Sequence, residues 1–368
     1  MTSFATLDDP SRAVRLVLVG AGAMGANWAS LILGTAGAEL VGAVDIVPGA
    51  AARLLAGLSR NTAMAAESLA DLVGAGIAFD AIVNVTVPAA HHAVTTDALF
   101  RGKAVLSEKP LAPTVAQAIS LAAAAAVTGR LLMVSQSRRY FRGLTSFKRT
   151  VKALGPVGLL TNDFFKAPHF GGFRETMAQP LLVDMGIHPF DAARFILDDE
   201  PVSVYCESFN PSWSWYAGDA AATAFFTFSR GTRFRYTGSW CSPGDETSWN
   251  GAWRASSGQA SVLWDGANPP VSTHADIVPL DPAEPEEIAA ALAEFIRALR
   301  TGAEPSGIAD RNLVSLAMVE AAVLSAQRGA AVRIADVLAD ARHAALGAES
   351  RAEVRAHLLA QQAGSGVG

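Results

Sequence analysis

The run Val14-Arg15-Leu16-Val17-Leu18-Val19 leads without a break into Gly20-Ala21-Gly22-Ala23-Met24-Gly25. A β-branched apolar stretch of this length predicts a buried strand, and a helix-compatible segment at 26–33 follows the glycines at once. Strand, G-x-G-x-x-G and helix in that order form the setting of a dinucleotide-binding turn. Each glycine has its own reason there. Gly20 allows the tight turn, Gly22 lets the backbone approach a pyrophosphate, and Gly25 lets the helix pack closely. The helix N-terminus then offers unpaired N–H groups to phosphates. A second strand at 39–44 ends in Asp45, 20 residues after Gly25, where a carboxylate accepts from the hydroxyls of an adenosine ribose. Asp45 repels a 2′-phosphate and no arginine follows it directly, so NAD is favoured over NADP; Arg53, the nearest basic residue, keeps NADP open.

The alternation continues downstream. Residues 81–88 predict a buried parallel strand, 91–101 a helix, 103–106 a strand that delivers Ser107-Glu108-Lys109-Pro110, 114–128 an Ala-rich helix and 131–135 a further strand. In such a doubly wound sheet the ligand crevice lies beyond the carboxyl ends of the strands, so Asp45, Pro88, His92 and Lys109 fall on one edge. Proline after Lys109 disfavours helical backbone at the lysine. From about residue 138 the pattern changes. After a helix at 144–154, strand-like runs occur at 159–165, 202–209, 221–229, 232–239, 249–255 and 260–264, with Arg230-Gly231 and Ser257-Gly258 as hairpin turns. An acidic, proline-rich linker at 280–287 leads into a helix at 288–299, and Asp310 caps another at 310–327.

These residues resemble the glucose-fructose oxidoreductase and inositol dehydrogenase (Gfo/Idh/MocA) family. The resemblance covers about residues 15–338. Its carriers are the glycine turn, Thr86-Val87-Pro88 through His92, Glu108-Lys109-Pro110, Gln136-Ser137-Arg138-Arg139-Tyr140, and Asp184-Met185-Gly186-Ile187-His188 with Asp191. The resemblance implies an α/β protein, an N-terminal Rossmann domain followed by a C-terminal α/β domain with a large, mostly antiparallel open sheet. It implies dimers or tetramers formed through that sheet. It also implies catalytic roles for Lys109, Asp184 and His188, and a cofactor site that adds Ala23, Met24, Thr86, Pro88, His92, Glu108, Lys109 and Gln136 to Gly20, Gly22, Gly25 and Asp45.

The residue types suit that chemistry. Oxidising a secondary alcohol requires a base for the hydroxyl proton while the carbon gives up its hydride. An imidazole titrates near neutrality, which makes His188 the candidate base. Asp184, about one helical turn earlier, would orient the ring or hold the hydroxyl, and Lys109 would polarise the substrate oxygen and relay the proton. Pro189 fits only in a first turn or at a kink, so Asp184 and His188 are neighbours without guaranteed stacking. Arg174, just ahead of this element, either binds substrate or pairs with Glu175. Trp215, in Asn210-Pro211-Ser212-Trp213-Ser214-Trp215-Tyr216, is placed to stack on a sugar ring or to serve an interface. His169, His274, His343 and His357 receive no role.

Composition bounds the rest. The 368 residues exceed one ordinary core, and the expected division is 1–137 (1–13 flexible), 138–345 and a 346–368 tail of one frayed helix and a disordered end. At 51% hydrophobic residues the chain is apolar, yet it has no run of ~20 apolar residues that would span a bilayer. The N-terminus does not read as a secretory signal, so a cytoplasmic location is expected. A net charge of −5 without a basic stripe gives no footprint for nucleic acid or an anionic membrane, which leaves a small-molecule partner. Cys206 and Cys241 lack ligand spacing, and no metal is expected. Three readings follow: an NAD-dependent dehydrogenase of a sugar, cyclitol or related polyol; a redox-neutral elimination or glycosidic cleavage that uses bound NAD transiently; and a non-catalytic sugar or nucleotide sensor. The intact lysine and histidine argue against the last.

Overall fold

The computed structural model describes residues 4–58, 62–279 and 284–365. These residues fall into two compact units, one from 4–136, 288–313 and 341–365, the other from 137–287 and 314–340.

The first unit is a six-stranded parallel sheet. Its strands are β1 (Val14–Val19), β2 (Ala38–Val44), β3 (Met64–Ala66), β4 (Ala81–Asn84), β5 (Ala104–Ser107) and β6 (Leu132–Val134), in the spatial order β3-β2-β1-β4-β5-β6. That is the doubly wound order, with its switch point between β1 and β4. Helices cover both faces, which is why β1, β4 and β5 read as continuous apolar runs without alternation. The expected strand at 81–88 stops at Asn84, and Pro88 is the first residue of the helix Pro88–Phe100. Proline has no N–H for a ladder but carries the φ of a helix's first position. The short β3 and the helices Ala50–Ala56 and Leu69–Gly74 match no sequence expectation, since segments of three to seven residues carry too little periodicity.

Late segments complete this unit, and here the structure departs from the expected succession of domains. The helix Glu287–Thr301 buries Leu292, Phe295 and Leu299, and Arg300 donates to the Gly37 carbonyl at 3.2 Å. The Val134 amide donates to Gly307 at 2.8 Å, so the chain returns to the edge of β6. The tail is not a loose end over its described length: Val354 and Leu358 of the helix Ala352–Ser365 are buried, and that helix packs on the helix Val115–Thr128. Residues 366–368 of the expected end lie outside the described residues. The expected flexibility of 1–13 is also corrected for residues 4–13, because Phe4 is buried and the Ala5 and Leu7 amides donate to Gly129 and Leu299. Arg12 and Arg15 close on Asp80.

The second unit is a seven-stranded mixed sheet of β7 (Val157–Phe165), β8 (Pro201–Phe209), β9 (Ala221–Phe228), β10 (Arg233–Ser239), β11 (Ala252–Ser257), β12 (Ser261–Trp264) and β13 (Val332–Arg333), ordered β12-β11-β7-β10-β9-β8-β13. Every pairing is antiparallel except β7 with β10. The strands alternate buried and exposed residues as a one-sided sheet must. The helix Ile187–Leu197 lies on the buried face through Phe190, whose ring meets Phe226 at 4.8 Å and Tyr236 at 5.3 Å. Burying such a ring contributes about 1.5–3 kcal/mol. The linker expected at 280–287 is described only from Glu284, and 280–283 lie outside the described residues.

Candidate active site

In the first unit the glycine turn opens a cleft of about 550 Å³ at the C-terminal ends of β1, β2 and β4. Gly20 has φ +109°, and a Cβ there would lie 2.8 Å from the Val85 carbonyl, so both conformation and space require glycine. A Cβ on Gly25 would stand 2.1 Å from the Gly20 carbonyl oxygen, which pins the helix Ala23–Gly34 onto its own turn. A Cβ on Gly22 would meet nothing within 4 Å. Gly22 also caps that helix without a side chain to take up the first-turn N–H groups. This is a cradle shaped for a phosphate.

Asp45 bridges the turn and the end of β2. Its Oδ2 accepts the Ala21 N–H at 2.7 Å and its Oδ1 accepts that of Val47 at 2.9 Å. Of the residues lining the cleft, Asp45, Glu67 and Asp97 bear charge and all are acidic. Arg53 turns to the Pro48 carbonyl instead. Glu67 follows the three-residue β3 and Asp97 sits on the helix Pro88–Phe100, and only the fold brings the two to one cleft. Thr86 lines the cleft and is held by Asn84, a fully buried residue at the end of β4. Asn84 Oδ1 accepts from the Thr86 hydroxyl at 2.7 Å, while its amide donates to Thr95 at 3.1 Å.

Of the expected cofactor residues, Gly20, Gly22, Asp45 and Thr86 line this cleft; Ala23, Met24, Gly25, Pro88, His92, Glu108, Lys109 and Gln136 do not. His92 Nε2 lies 3.2 Å from Ser120 Oγ, which donates to Glu349 at 2.6 Å. One step along a helix turns a side chain by about 100°, and it is His91 that points at the cleft's Thr86 turn. Ala23, Met24 and Gly25 open the first helix beside Gly22, and Pro88 opens the helix after Thr86. Glu108 and Lys109 follow β5. Glu108 accepts from Trp28 Nε1 at 2.9 Å and from the Lys109 amide at 3.1 Å; burial pushes its carboxyl above the ordinary value. Gln136 follows β6, is 2% exposed, and its Nε2 finds no partner among the described residues.

The second unit holds the other candidate residues. Asp184 sits in a π-helical turn, Leu181–Met185, that gives way to the helix Ile187–Leu197 carrying His188. The turn that carries Asp184 is wider than an α-turn, closed by the Gly186 amide on the Leu181 carbonyl at 2.9 Å. A Cβ on Gly186 would lie 2.6 Å from the Leu182 carbonyl, so glycine permits the bulge. Arg174 Nε donates to Asp184 Oδ2 at 2.8 Å, so its carboxylate partner is Asp184 and not Glu175. Glu175 accepts the Gly171 amide. The segment around Trp215 runs beside this loop through Ala217 N–H to the Glu175 carbonyl at 2.8 Å. Trp215 stacks on His169 with ring centroids 3.8 Å apart, which gives His169 a partner that the sequence reading did not supply.

His188 borders a small recess with Arg138, Asn250, Trp253 and Trp264. Arg138 donates to Asn250 Oδ1 at 3.2 Å; burial lowers its guanidinium to about 10, so it stays charged at neutral pH. Beneath them Arg139 donates to both oxygens of Asp191, at 2.7 and 2.6 Å. Cys206 and Cys241 are buried free thiols. Among the described residues no group of three His, Cys, Asp or Glu side chains is arranged to hold a metal, and no helix is long and apolar enough to cross a membrane.

A parallel sheet in doubly wound order, with this glycine turn and a carboxylate at the end of β2, defines a dinucleotide-binding protein of the Rossmann class joined to a mixed-sheet unit. Residues 14–136 match the model of the oxidoreductase family with an NAD-binding Rossmann fold, and residues 159–255 match that of the GFO/IDH/MocA C-terminal domain. The chain belongs to the Gfo/Idh/MocA oxidoreductase family. It is 34% identical to an inositol 2-dehydrogenase of Cereibacter sphaeroides over 194 residues, 52% of this chain and 56% of that protein. It is 29% identical to the protein y4oX of Sinorhizobium fredii over 240 residues, 61% of this chain and 65% of the relative. The chain thus matches 56–65% of the length of these relatives. Its fold is shared with an oxidoreductase from Agrobacterium radiobacter solved with NAD+, L-tartaric acid and magnesium, at TM-score 0.77 and 20% identity over 88% of this chain and 99% of that one. An aldose-aldose oxidoreductase from Caulobacter crescentus gives TM-score 0.74 at 22% identity over 88% of this chain and 100% of that one.

Proposed function

We propose that the protein is an NAD-dependent oxidoreductase that moves a hydride between nicotinamide and a secondary hydroxyl of a sugar, cyclitol or related polyol. The observation that carries this reading is the cradle: Gly20 and Gly25 are sterically obligatory, Gly22 is open, and Asp45 stands at the end of β2. Gly22 and the first turn of the helix Ala23–Gly34 would hold the pyrophosphate, Asp45 the adenosine ribose, and the buried amide of Gln136 a polar group of the cofactor. Three carboxylates around the cleft disfavour a 2′-phosphate, which supports NAD over NADP. When bound, the nicotinamide supplies a hydride acceptor or donor.

The chain's own residues then manage the proton. Lys109 polarises the substrate oxygen and relays its proton, His188 serves as the base, and Asp184 fixes the hydroxyl or the ring. Arg174, paired to Asp184, and Trp215, beside the same loop, fit contacts to a polyhydroxylated substrate. Assembly into dimers or tetramers through the mixed sheet accords with exposed Tyr205, Phe225 and Leu263 on its open face. The test is nicotinamide absorbance with NAD and NADP tested separately against sugars and cyclitols. Net NADH formation that disappears in Lys109→Ala, with NAD binding retained, is expected; silence across the panel with NAD bound would overturn the dehydrogenase reading.

A further inference from the structure

We propose that His91 is a positioning residue that joins the Thr86 turn of the cofactor cleft to the Lys109–Pro110 turn, with its proton resting on Nδ1 toward Pro110. The proposal deepens the reading above and rests on it for the role of Lys109. His91 is 1% exposed on the helix Pro88–Phe100. Its Nδ1 lies 2.7 Å from the Pro110 carbonyl oxygen and its Nε2 3.0 Å from the Thr86 carbonyl oxygen.

Two acceptors therefore flank one ring. A neutral imidazole carries a single N–H, so it serves one carbonyl fully and sets a lone pair toward the other. Burial favours that neutral form over an imidazolium, and Lys109 acts in the same direction, while the two carbonyls act against them. The shorter contact places the proton on Nδ1. The Thr86 turn is already secured from its other side by Asn84, whereas the Pro110 carbonyl meets the cleft's elements through His91. The link that matters for Lys109, the residue bonded to Pro110, is thus the one from Nδ1. A ring buried for packing alone would leave polar nitrogens to be desolvated at a penalty that an apolar side chain avoids.

Asparagine sets its amide nitrogen where histidine has Nδ1, and glutamine sets it where histidine has Nε2. His91→Asn should therefore keep the Pro110 link and His91→Gln only the Thr86 link. Expected is kcat within about threefold of wild type for His91→Asn and a fall of about tenfold or more for His91→Gln and His91→Phe, with NAD affinity by fluorescence little changed in all three. Labelling of the Lys109 amine by an acylating reagent, read by peptide mass spectrometry, should shift in the Gln and Phe variants and not in Asn. Equal behaviour of the Asn and Gln variants would overturn the proposal. The wild-type protein gives a reading that needs neither folding of variants nor turnover: ¹⁵N spectra of the His91 ring should show Nδ1 protonated and Nε2 bare. The opposite tautomer would overturn it. If no substrate turns over, the labelling and ring spectra still decide the role of His91, so its failure stays separate from that of the dehydrogenase reading.

Discussion

Arg139 grips Asp191 with two parallel hydrogen bonds, Nε to Oδ2 at 2.7 Å and Nη2 to Oδ1 at 2.6 Å, and both side chains are almost wholly buried. Ser315 Oγ donates to the same carboxylate at 2.6 Å and accepts from Arg194 at 2.8 Å. Arg139 follows Arg138 in the turn Ser137–Tyr140, and Asp191 lies one turn after His188. The pair therefore locks together the two elements that border the recess beside His188.

Removing one partner of such a pair leaves a buried charge uncompensated. Arg139→Met should lower stability by about 3–5 kcal/mol, read as a reduced urea midpoint. Arg139→Met combined with Asp191→Leu should recover part of that loss. A midpoint unchanged in the single variant would show that the pair contributes nothing.

Gly22 and Gly25 make opposite predictions three residues apart. Gly25→Ala forces a Cβ to 2.1 Å from a backbone oxygen and should both destabilise the unit, by about 1–3 kcal/mol or more, and abolish NAD binding. Gly22→Ala has free space, so its melting temperature should match wild type while NAD affinity falls. Calorimetry of NAD binding with thermal melts of the apo-proteins separates the two, and an NAD affinity unaffected by Gly22→Ala would remove the cradle from the cofactor site.

Asp45→Ala should weaken NAD relative to NADP, since it deletes the proposed acceptor for ribose hydroxyls and one of three carboxylates around the cleft. Because Asp45 also holds the Ala21 and Val47 amides, some loss of affinity for both cofactors should accompany the switch. An unaltered ratio of the two affinities would exclude Asp45 from selectivity.

Burial pushes the Asp80 carboxyl up, but hydrogen bonds from Arg12 and from the backbone and side chain of Arg15 outweigh it and leave the pKa at about 2. A carboxyl depressed in the folded state stabilises above its unfolded value and loses that contribution as pH falls through its folded value. The loss should run from about pH 4 down to pH 2. Asp80→Asn should thus be less stable than wild type at pH 7, with the gap in denaturant midpoint closing toward pH 2. A gap that stays constant would show that Asp80 does not titrate in this range.

His188→Ala should eliminate turnover while sparing NAD affinity, because His188 and the glycine cradle belong to different compact units. Loss of NAD binding in this variant would contradict the proposed division of labour.

Residues 14–45 were legible because strand, glycines, helix and acid occur in a fixed local order, and a local order survives without knowledge of long-range contacts. A Cβ on Gly20 or Gly25 would meet backbone atoms at 2.8 and 2.1 Å, contacts made by residues near and far in sequence. The choice between His91 and His92 was not legible, since it depends on the helix starting at Pro88 and on which face meets Pro110, 19 residues away in sequence. The Asp184 to His188 spacing was legible as a motif, but the π-turn that carries Asp184 depends on Gly186 fitting against Leu182. Arg174 and Glu175 are neighbours in sequence, and only the fold decided that the arginine turns to Asp184.

By itself, then, the sequence determined the parallel unit with most of its apolar strands, the glycine turn, and the residue types available for proton transfer, all encoded within stretches of a few dozen residues. Tertiary structure alone decided which chain segments complete each unit, which histidine meets the Thr86 carbonyl, and how Asp191 meets Arg139 at 52 positions' distance and Ser315 at 124. The physical reason is the same throughout: hydrogen-bond geometry and steric fit act over ångströms in space, and composition and periodicity report only on neighbours along the chain.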